Sequence, residues 1–249
     1  MQWGEIVAMM LATLVGLSLG ALGSGGSIIT IPLLVYVAGV PADKAVGMSL
    51  VIVGTTSLMG AVLHMRNGNV AWKPSLLFAL TGTVGAYLGA YGTHLVSSRG
   101  LMLLFAVIMM IVGIRMWQTT GKAQKCGTFN AARCLSIGFA VGLLTGFLGI
   151  GGGFLIVPAL VLFAGLDSRM AAGTSLAVIV LNSLTGIIGH LRFESFDWRL
   201  LGGFLTFALV GMVLGTMVAN SLAEYRLRRL FACTVLILAV GVGVVNLLP

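Results

Sequence analysis

The residue types best suited to chemistry sit in two glycine-proline cassettes: residues 23–32 read GSGGSIITIP and residues 149–158 read GIGGGFLIVP, 126 positions apart. Gly23, Gly25 and Gly26 in one copy, and Gly149, Gly151, Gly152 and Gly153 in the other, are poor helix formers, each costing about 1 kcal/mol against alanine. Clustered at the same place in both copies, they predict a broken helix. Short helices starting near Ser27 and Gly153 would aim free N–H groups and positive dipole ends at the break, an arrangement that favours an anion. Ser24 and Ser27 add hydroxyl donors in the first copy, where Ile150 and Gly153 stand in the second. The expected site, centred on Ser24, Gly25, Gly26, Ser27, Gly151, Gly152 and Gly153, is therefore symmetric in backbone and asymmetric in side chains. Close helix packing through small residues is the competing use of such glycines. Neither cassette fits the dinucleotide pattern GxGxxG, because Ile28 and Phe154 fill its last position and no strand precedes them.

Further polar residues follow each cassette: Ser49, Thr55, Thr56 and Ser57 in the first half, Thr174, Ser175, Asn182, Ser183 and Thr185 in the second. Ser49 and Thr56 are seven apart and share a helix face, as do Ser175 and Asn182. They could line a cavity beside the cassette, or serve as interhelical hydrogen bonds. Asn182 is the best candidate for a ligand contact, because an amide is costly to place in lipid. His64-Met65-Arg66 and His190-Leu191-Arg192 end one helix in each half. Interfacial anchoring of a helix end is the ordinary reading of His64, Arg66, His190 and Arg192; a basic mouth for anions or a histidine proton relay is the sharper one. Trp72 and Trp198 read as interfacial belt residues.

What is missing also narrows the chemistry. The six acids, Glu5, Asp43, Asp167, Glu194, Asp197 and Glu224, all fall at predicted loops or segment ends. That argues against carboxylate-held cations and a carboxylate proton relay. Cys126, Cys134 and Cys233 fit no zinc spacing and read as free thiols. No GxxxxGK[ST] occurs, and no stretch is polar enough for a nucleotide-binding domain. No metal and no cofactor is expected. An intramembrane enzyme pairing Ser24 with His64 or His190 lacks the GxSG of serine proteases that work in membranes, since Leu22 stands where its first glycine belongs. No catalytic residue is assigned, and a non-enzyme is expected.

These groups must be positioned by membrane helices. The chain is 59% hydrophobic and 8% charged, against about 25% charged in soluble domains. Residues 45–63, 74–98, 100–114, 134–166, 170–191 and 200–223 carry no Asp, Glu, Lys or Arg, and several of these runs reach the roughly 20 residues that a spanning helix needs. Period-2 alternation is absent, which disfavours a barrel. The 14 Lys and Arg residues are scattered over short loops and form no nucleic-acid stripe. The apolar run from Ile6 lacks the basic start of a signal peptide and is expected to belong to the fold.

The duplication extends beyond the cassettes. At the same offset Gly16 and Gly20 match Gly142 and Gly146, Gly39 matches Gly165, His64 matches His190, Trp72 matches Trp198, and Gly85 and Gly89 match Gly211 and Gly215. Two membrane repeats are expected, residues 1–117 and 132–249, joined by a linker over 118–131. Each reads as five apolar pieces, about 5–22, 27–40, 45–63, 74–96 and 100–117, then 132–148, 153–166, 170–189, 199–221 and 228–248. The second piece of each, at about 14 residues or roughly 21 Å, is short for a hydrocarbon core of roughly 30 Å.

Pairing the first two pieces as an antiparallel, glycine-broken unit gives each repeat odd parity, so the repeats insert upside down relative to each other. One face then collects Arg66, Lys73, Arg115, Lys122, Lys125, Arg133, Arg169, Arg226, Arg228 and Arg229, and the other only Lys44, Arg99, Arg192 and Arg199. This bias places both termini outside the cytoplasm. The alternative, eight spans in two parallel repeats, splits the charges nine to five. The expected fold is an all-α polytopic membrane protein of two inverted repeats, each a broken helix pair plus three spanning helices.

The doubled Gly-x-Gly-Gly-x-x-x-x-x-Pro, in a chain of this size and hydropathy, resembles the TauE/SafE sulfite exporter family along essentially its whole length. The resemblance implies a multi-pass carrier of the bacterial or archaeal inner membrane for small sulfur-containing anions such as sulfite or sulfonates. It leaves the ligand, the direction and the coupling ion open. Expected partners are the anion and the lipid bilayer, without nucleic acid; a homo-oligomer is compatible with the sequence. The combined expectation is an anion held between the two broken helices, with Ser24, Ser27, Thr174 and Asn182 contributing side chains, and access alternating as one repeat rocks against the other. A passive anion channel is the alternative.

Overall fold

The computed structural model describes residues 3–24, 26–92, 98–118, 131–148, 153–190 and 198–247. Among them are ten α-helices and no strand. In chain order these are α1 (Trp3–Leu22), α2 (Gly26–Pro32), which runs on as a π-turn over Leu33–Val37, α3 (Ala42–Arg66), α4 (Trp72–Gly92) and α5 (Ser98–Gln118). The second set is α6 (Ala131–Leu148), α7 (Gly153–Leu162), α8 (Ser168–His190), α9 (Trp198–Ser221) and α10 (Glu224–Leu247). Each falls on one of the ten apolar pieces read from the sequence. The linker expected over 118–131 lies outside the described residues except at its ends.

The breaks come where glycines cluster. α1 ends at Leu22, and the Gly23 N–H closes onto the Leu19 carbonyl at 2.7 Å. Gly23 has φ +78, the left-handed conformation that side chains disfavour. α2 then doubles back: the side-chain position of Gly26 lies against the Val15 carbonyl and the Leu19 side chain of α1. α6 ends at Leu148 and α7 starts at Gly153; Gly149, Gly151 and Gly152 lie outside the described residues. Each short helix carries a proline, Pro32 or Pro158, and each stops at a glycine of positive φ, Gly39 at +71 and Gly165 at +69. The stops use the same bonds, Val40 N–H to the Leu34 carbonyl and Leu166 N–H to the Leu160 carbonyl.

α3 and α8 form the centre and run antiparallel: Gly54 faces Ser183 and Ile187, Gly60 faces Leu176, and Gly173 faces His64. Residues 171–179 of α8 are buried without interruption, so this stretch meets protein on every side. α1 packs along α9, α4 along α6, and α5 along α10. The first two contacts are parallel and nearly backbone to backbone. A Cβ at Gly16 would overlap the Ala208 carbonyl, and one at Gly20 the Met212 carbonyl; from the other side, Gly211 meets the Thr13 carbonyl and Gly215 the Leu17 carbonyl. Between α4 and α6, Gly85 meets the Phe139 carbonyl and Gly142 the Gly82 carbonyl. Where lipid tails are as apolar as side chains, such close approach through small residues is what gives helix association its strength. The packing use of glycine therefore holds for these positions, while in the first cassette Gly23 ends α1 as well as packing on α8.

α5 and α10 are antiparallel, with Gly113 against Leu236 and Ala232, and their outer faces expose Val107, Ile111, Ile114, Leu230, Ile237 and Val240. Among the described residues, three helical stretches are long and apolar enough to cross a membrane: Lys44–Arg66, Trp198–Ser221 and Glu224–Val244.

Candidate functional site

The first cassette lies where four elements converge: the end of α1, the end of α3, the turn before α4 and the first turns of α8. Ser24 is completely buried. Gly23 sits against Ala172 of α8, close enough that a Cβ would overlap the Ala172 Cα. Ser175, one turn further along α8, donates from Oγ to the Gly23 carbonyl at 2.8 Å and shares that hydroxyl with its own Ala172 carbonyl. The Gly23 carbonyl at the break is thus satisfied from inside the protein, as a non-helical carbonyl at membrane depth must be.

His64 closes another side. It is fully buried, with Nε2 3.4 Å from the Gly20 carbonyl, and its Nδ1 has no hydrogen-bond partner among the described residues. Interfacial anchoring therefore fails for His64. The chain folds back over it, with Asn69 N–H on the His64 carbonyl at 2.9 Å and Gly173 packed on its ring. Arg66, two residues on, is exposed, as are Trp72 and Trp198, which suits a helix end at an interface. His190 ends α8, but its side chain, Arg192, and the side chain of Ser27 lie outside the described residues, as does Gly25 altogether.

Of the other predicted residues, Thr174, next to Ser175, accepts the Ala71 N–H at 3.0 Å, tying the turn before α4 to α8. Ser49 and Thr56 turn onto their own helix, Ser49 to the Val46 carbonyl at 2.7 Å and Thr56 to the Ile52 carbonyl at 2.6 Å. Ser49 is 15 residues before His64 on α3, roughly 22 Å along the axis. Asn182 lies midway along α8, half-buried, and accepts the Thr83 hydroxyl of α4 at 3.3 Å. Gly153 is buried at the start of α7. Among the described residues, no group of three or more metal-ligating side chains forms.

Sequence reasoning missed the ties behind the cassette. Glu224, the first residue of α10, accepts the Ser168 N–H at the start of α8, and Arg169 donates to the Asn220 and Leu222 carbonyls of the α9–α10 turn. Arg228, counted above as a loop charge, is buried. Its position four residues after Glu224, on one helix face, was the available signal.

The Ser175 bond makes a direct prediction. Ser175→Ala leaves a buried carbonyl unsatisfied, worth about 1–3 kcal/mol, and is expected to lower the thermal midpoint of the purified protein by several degrees. Ser49→Ala, which removes only a bond within its own helix, is expected to change it by less.

Comparison with known proteins follows the same line. The family described as "Sulfite exporter TauE/SafE" matches residues 8–242. A "Probable membrane transporter protein" of Xylella fastidiosa (strain 9a5c) is 35% identical over 237 residues, covering 92% of this chain and 91% of the relative. The Bacillus subtilis (strain 168) "Probable membrane transporter protein YunE" is 26% identical, covering 78% and 80%. An archaeal relative, "Probable membrane transporter protein MJ0441" of Methanocaldococcus jannaschii, is 28% identical over 77% of this chain and 75% of its own length. With apolar helices throughout and a family match that takes in both cassettes, the chain belongs to the sulfite exporter TauE/SafE family of membrane transporters.

Proposed function

We propose that the protein is a secondary carrier for a small sulfur-containing oxyanion, sulfite or a sulfonate, working by alternating access between two inverted repeats in a bacterial or archaeal cell membrane. The observation that carries this is the buried chain reversal at Gly23–Gly26, pinned by Ser175 and flanked by Ser24 and His64. A reversal of this kind would offer backbone N–H groups in a setting where only protein or a bound anion can meet them. The oxyanion would sit between α2 and α7, on N–H groups around 24–27 and 150–153, with Ser24, Ser27, Thr174 and Asn182 near it. The family's name supports sulfite as the first anion to try.

The inverted arrangement draws support from helix directions. Equivalent helices α3 and α8 are antiparallel, as are α5 and α10, which two repeats inserted the same way round would not give. Exchange of partners between halves, α1 with α9 and α6 with α4, also fits a two-fold relation and supplies surfaces that could rock.

Reconstituted protein is expected to move labelled sulfite with saturation, and unlabelled sulfite inside the liposomes is expected to speed uptake. Flux that neither saturates nor shows counter-transport would make the protein a channel; binding selective for cations would remove the anion site. Ser24→Ala takes away one hydrogen bond to a charged ligand, worth about 1.5–3 kcal/mol, and is expected to weaken anion binding roughly tenfold or more.

A further inference from the structure

The end of the molecule formed by α5 and α10 gathers charge that the transport site does not use. Arg226, Arg228 and Arg229 occupy the first two turns of α10, the positive pole of its dipole, where cations are unfavourable. The acid in those turns, Glu224, is engaged by the Ser168 N–H. Arg229 lies over the rings of Trp117 and Tyr225 at 5.7 and 5.9 Å, and Arg226 over Tyr225 at 5.7 Å. Trp117 lies in the last turn of α5, two residues after Arg115, and Trp117, Tyr225, Arg226 and Arg229 are all exposed. Behind them Arg228 is 6% exposed, and its Nε and Nη2 have no hydrogen-bond partner among the described residues.

The apolar wall of Ile111, Ile114, Leu230 and Ile237 continues directly from this cluster. An occupant must therefore be anionic at its head and apolar below. A nucleic acid or an acidic peptide meets the first condition and not the second. Exposed tyrosine and tryptophan at the ends of apolar helices suit the headgroup layer, and guanidinium groups suit phosphate.

We propose that the α5–α10 end is a binding site for an anionic phospholipid, with the phosphate diester held by Arg226 and Arg229 and the acyl chains laid along the α5–α10 wall. The site is separate from the cassette and does not depend on what is transported. Arginines near an anionic headgroup each add about a fivefold gain in affinity, so losing two weakens binding about 30-fold.

The test uses the full chain purified in detergent, titrated with phosphatidylglycerol, phosphatidylcholine or inorganic phosphate, with thermal unfolding and retention of lipid in native mass spectra as readouts. Phosphatidylglycerol is expected to stabilise the protein and be retained, with about 30-fold weaker apparent affinity in Arg226→Gln/Arg229→Gln and no change in Lys73→Gln, an exposed cation elsewhere. Trp117→Ala supplies a second variant, expected to weaken lipid retention with all charges in place. Equal stabilisation by phosphatidylcholine, or equal loss in Lys73→Gln, would overturn the site. Equal stabilisation by inorganic phosphate would overturn the lipid as its occupant.

Discussion

Leucine at Gly16 or Gly211 is expected to abolish recovery of folded protein from membranes. At Gly16 the new Cβ meets the Ala208 carbonyl and the Met212 nitrogen; at Gly211 it meets the Thr13 carbonyl and the Leu17 nitrogen. Ordinary overpacking costs about 1–3 kcal/mol because side chains rotate away. Here the atoms met are the backbone of the facing helix, which can give way only by moving α1 from α9 along their length. That contact joins the first half of the chain to the second beside α3–α8, α4–α6 and α5–α10, so its loss removes a main hold between the halves. Gly202, also on α9, is exposed with open space around its Cβ position, and Gly202→Ala is expected to leave recovery unchanged. Size-exclusion profiles of the three variants, expressed alongside the parent chain, decide the matter. A monodisperse Gly16→Leu protein with unchanged thermal midpoint would show that the two helices are held by something other than close approach.

The same glycines mark how far the sequence could be read. Gly16 and Gly20 were visible as counterparts of Gly142 and Gly146, and Gly85 and Gly89 as counterparts of Gly211 and Gly215. The breaks were also legible, because helix termination is local: a cluster of glycines stops α1 at Leu22 whatever surrounds it. Partner choice was not. That Gly16 meets α9 in the other half depends on contacts nearly 200 residues apart along the chain. Burial at helix ends was hidden for a related reason. His64, two residues from an exposed Arg66, carries the local signature of an interface residue; it is buried because residues 67–70 fold over it and α8 arrives with Gly173. Ser49 and Thr56 share a face by periodicity, yet periodicity does not say whether a hydroxyl turns outward or back onto its own carbonyls. In an apolar interior the second choice satisfies the group without a partner on another helix.

Gly23→Ala is expected to abolish anion binding and transport, whereas Gly39→Ala is expected to leave both measurable. The two glycines share nearly the same backbone, φ +78 and +71, so alanine brings each the same left-handed strain of about 1–2 kcal/mol. They differ in surroundings. Nothing lies within 4 Å of a Cβ at Gly39, while a Cβ at Gly23 overlaps Ala172 on α8. The difference between the variants therefore isolates the fit of the first break against α8. Pushing Gly23 away from Ala172 also pulls its carbonyl from Ser175 Oγ and shifts Ser24, its neighbour, with it. Both proteins are expected to fold, Gly39→Ala with a small loss of stability and Gly23→Ala with a larger one. Isothermal titration with sulfite, run beside liposome uptake, gives the reading. If Gly23→Ala binds and carries sulfite as Gly39→Ala does, the seat of the first cassette on α8 has no part in recognition, and the anion must be held elsewhere.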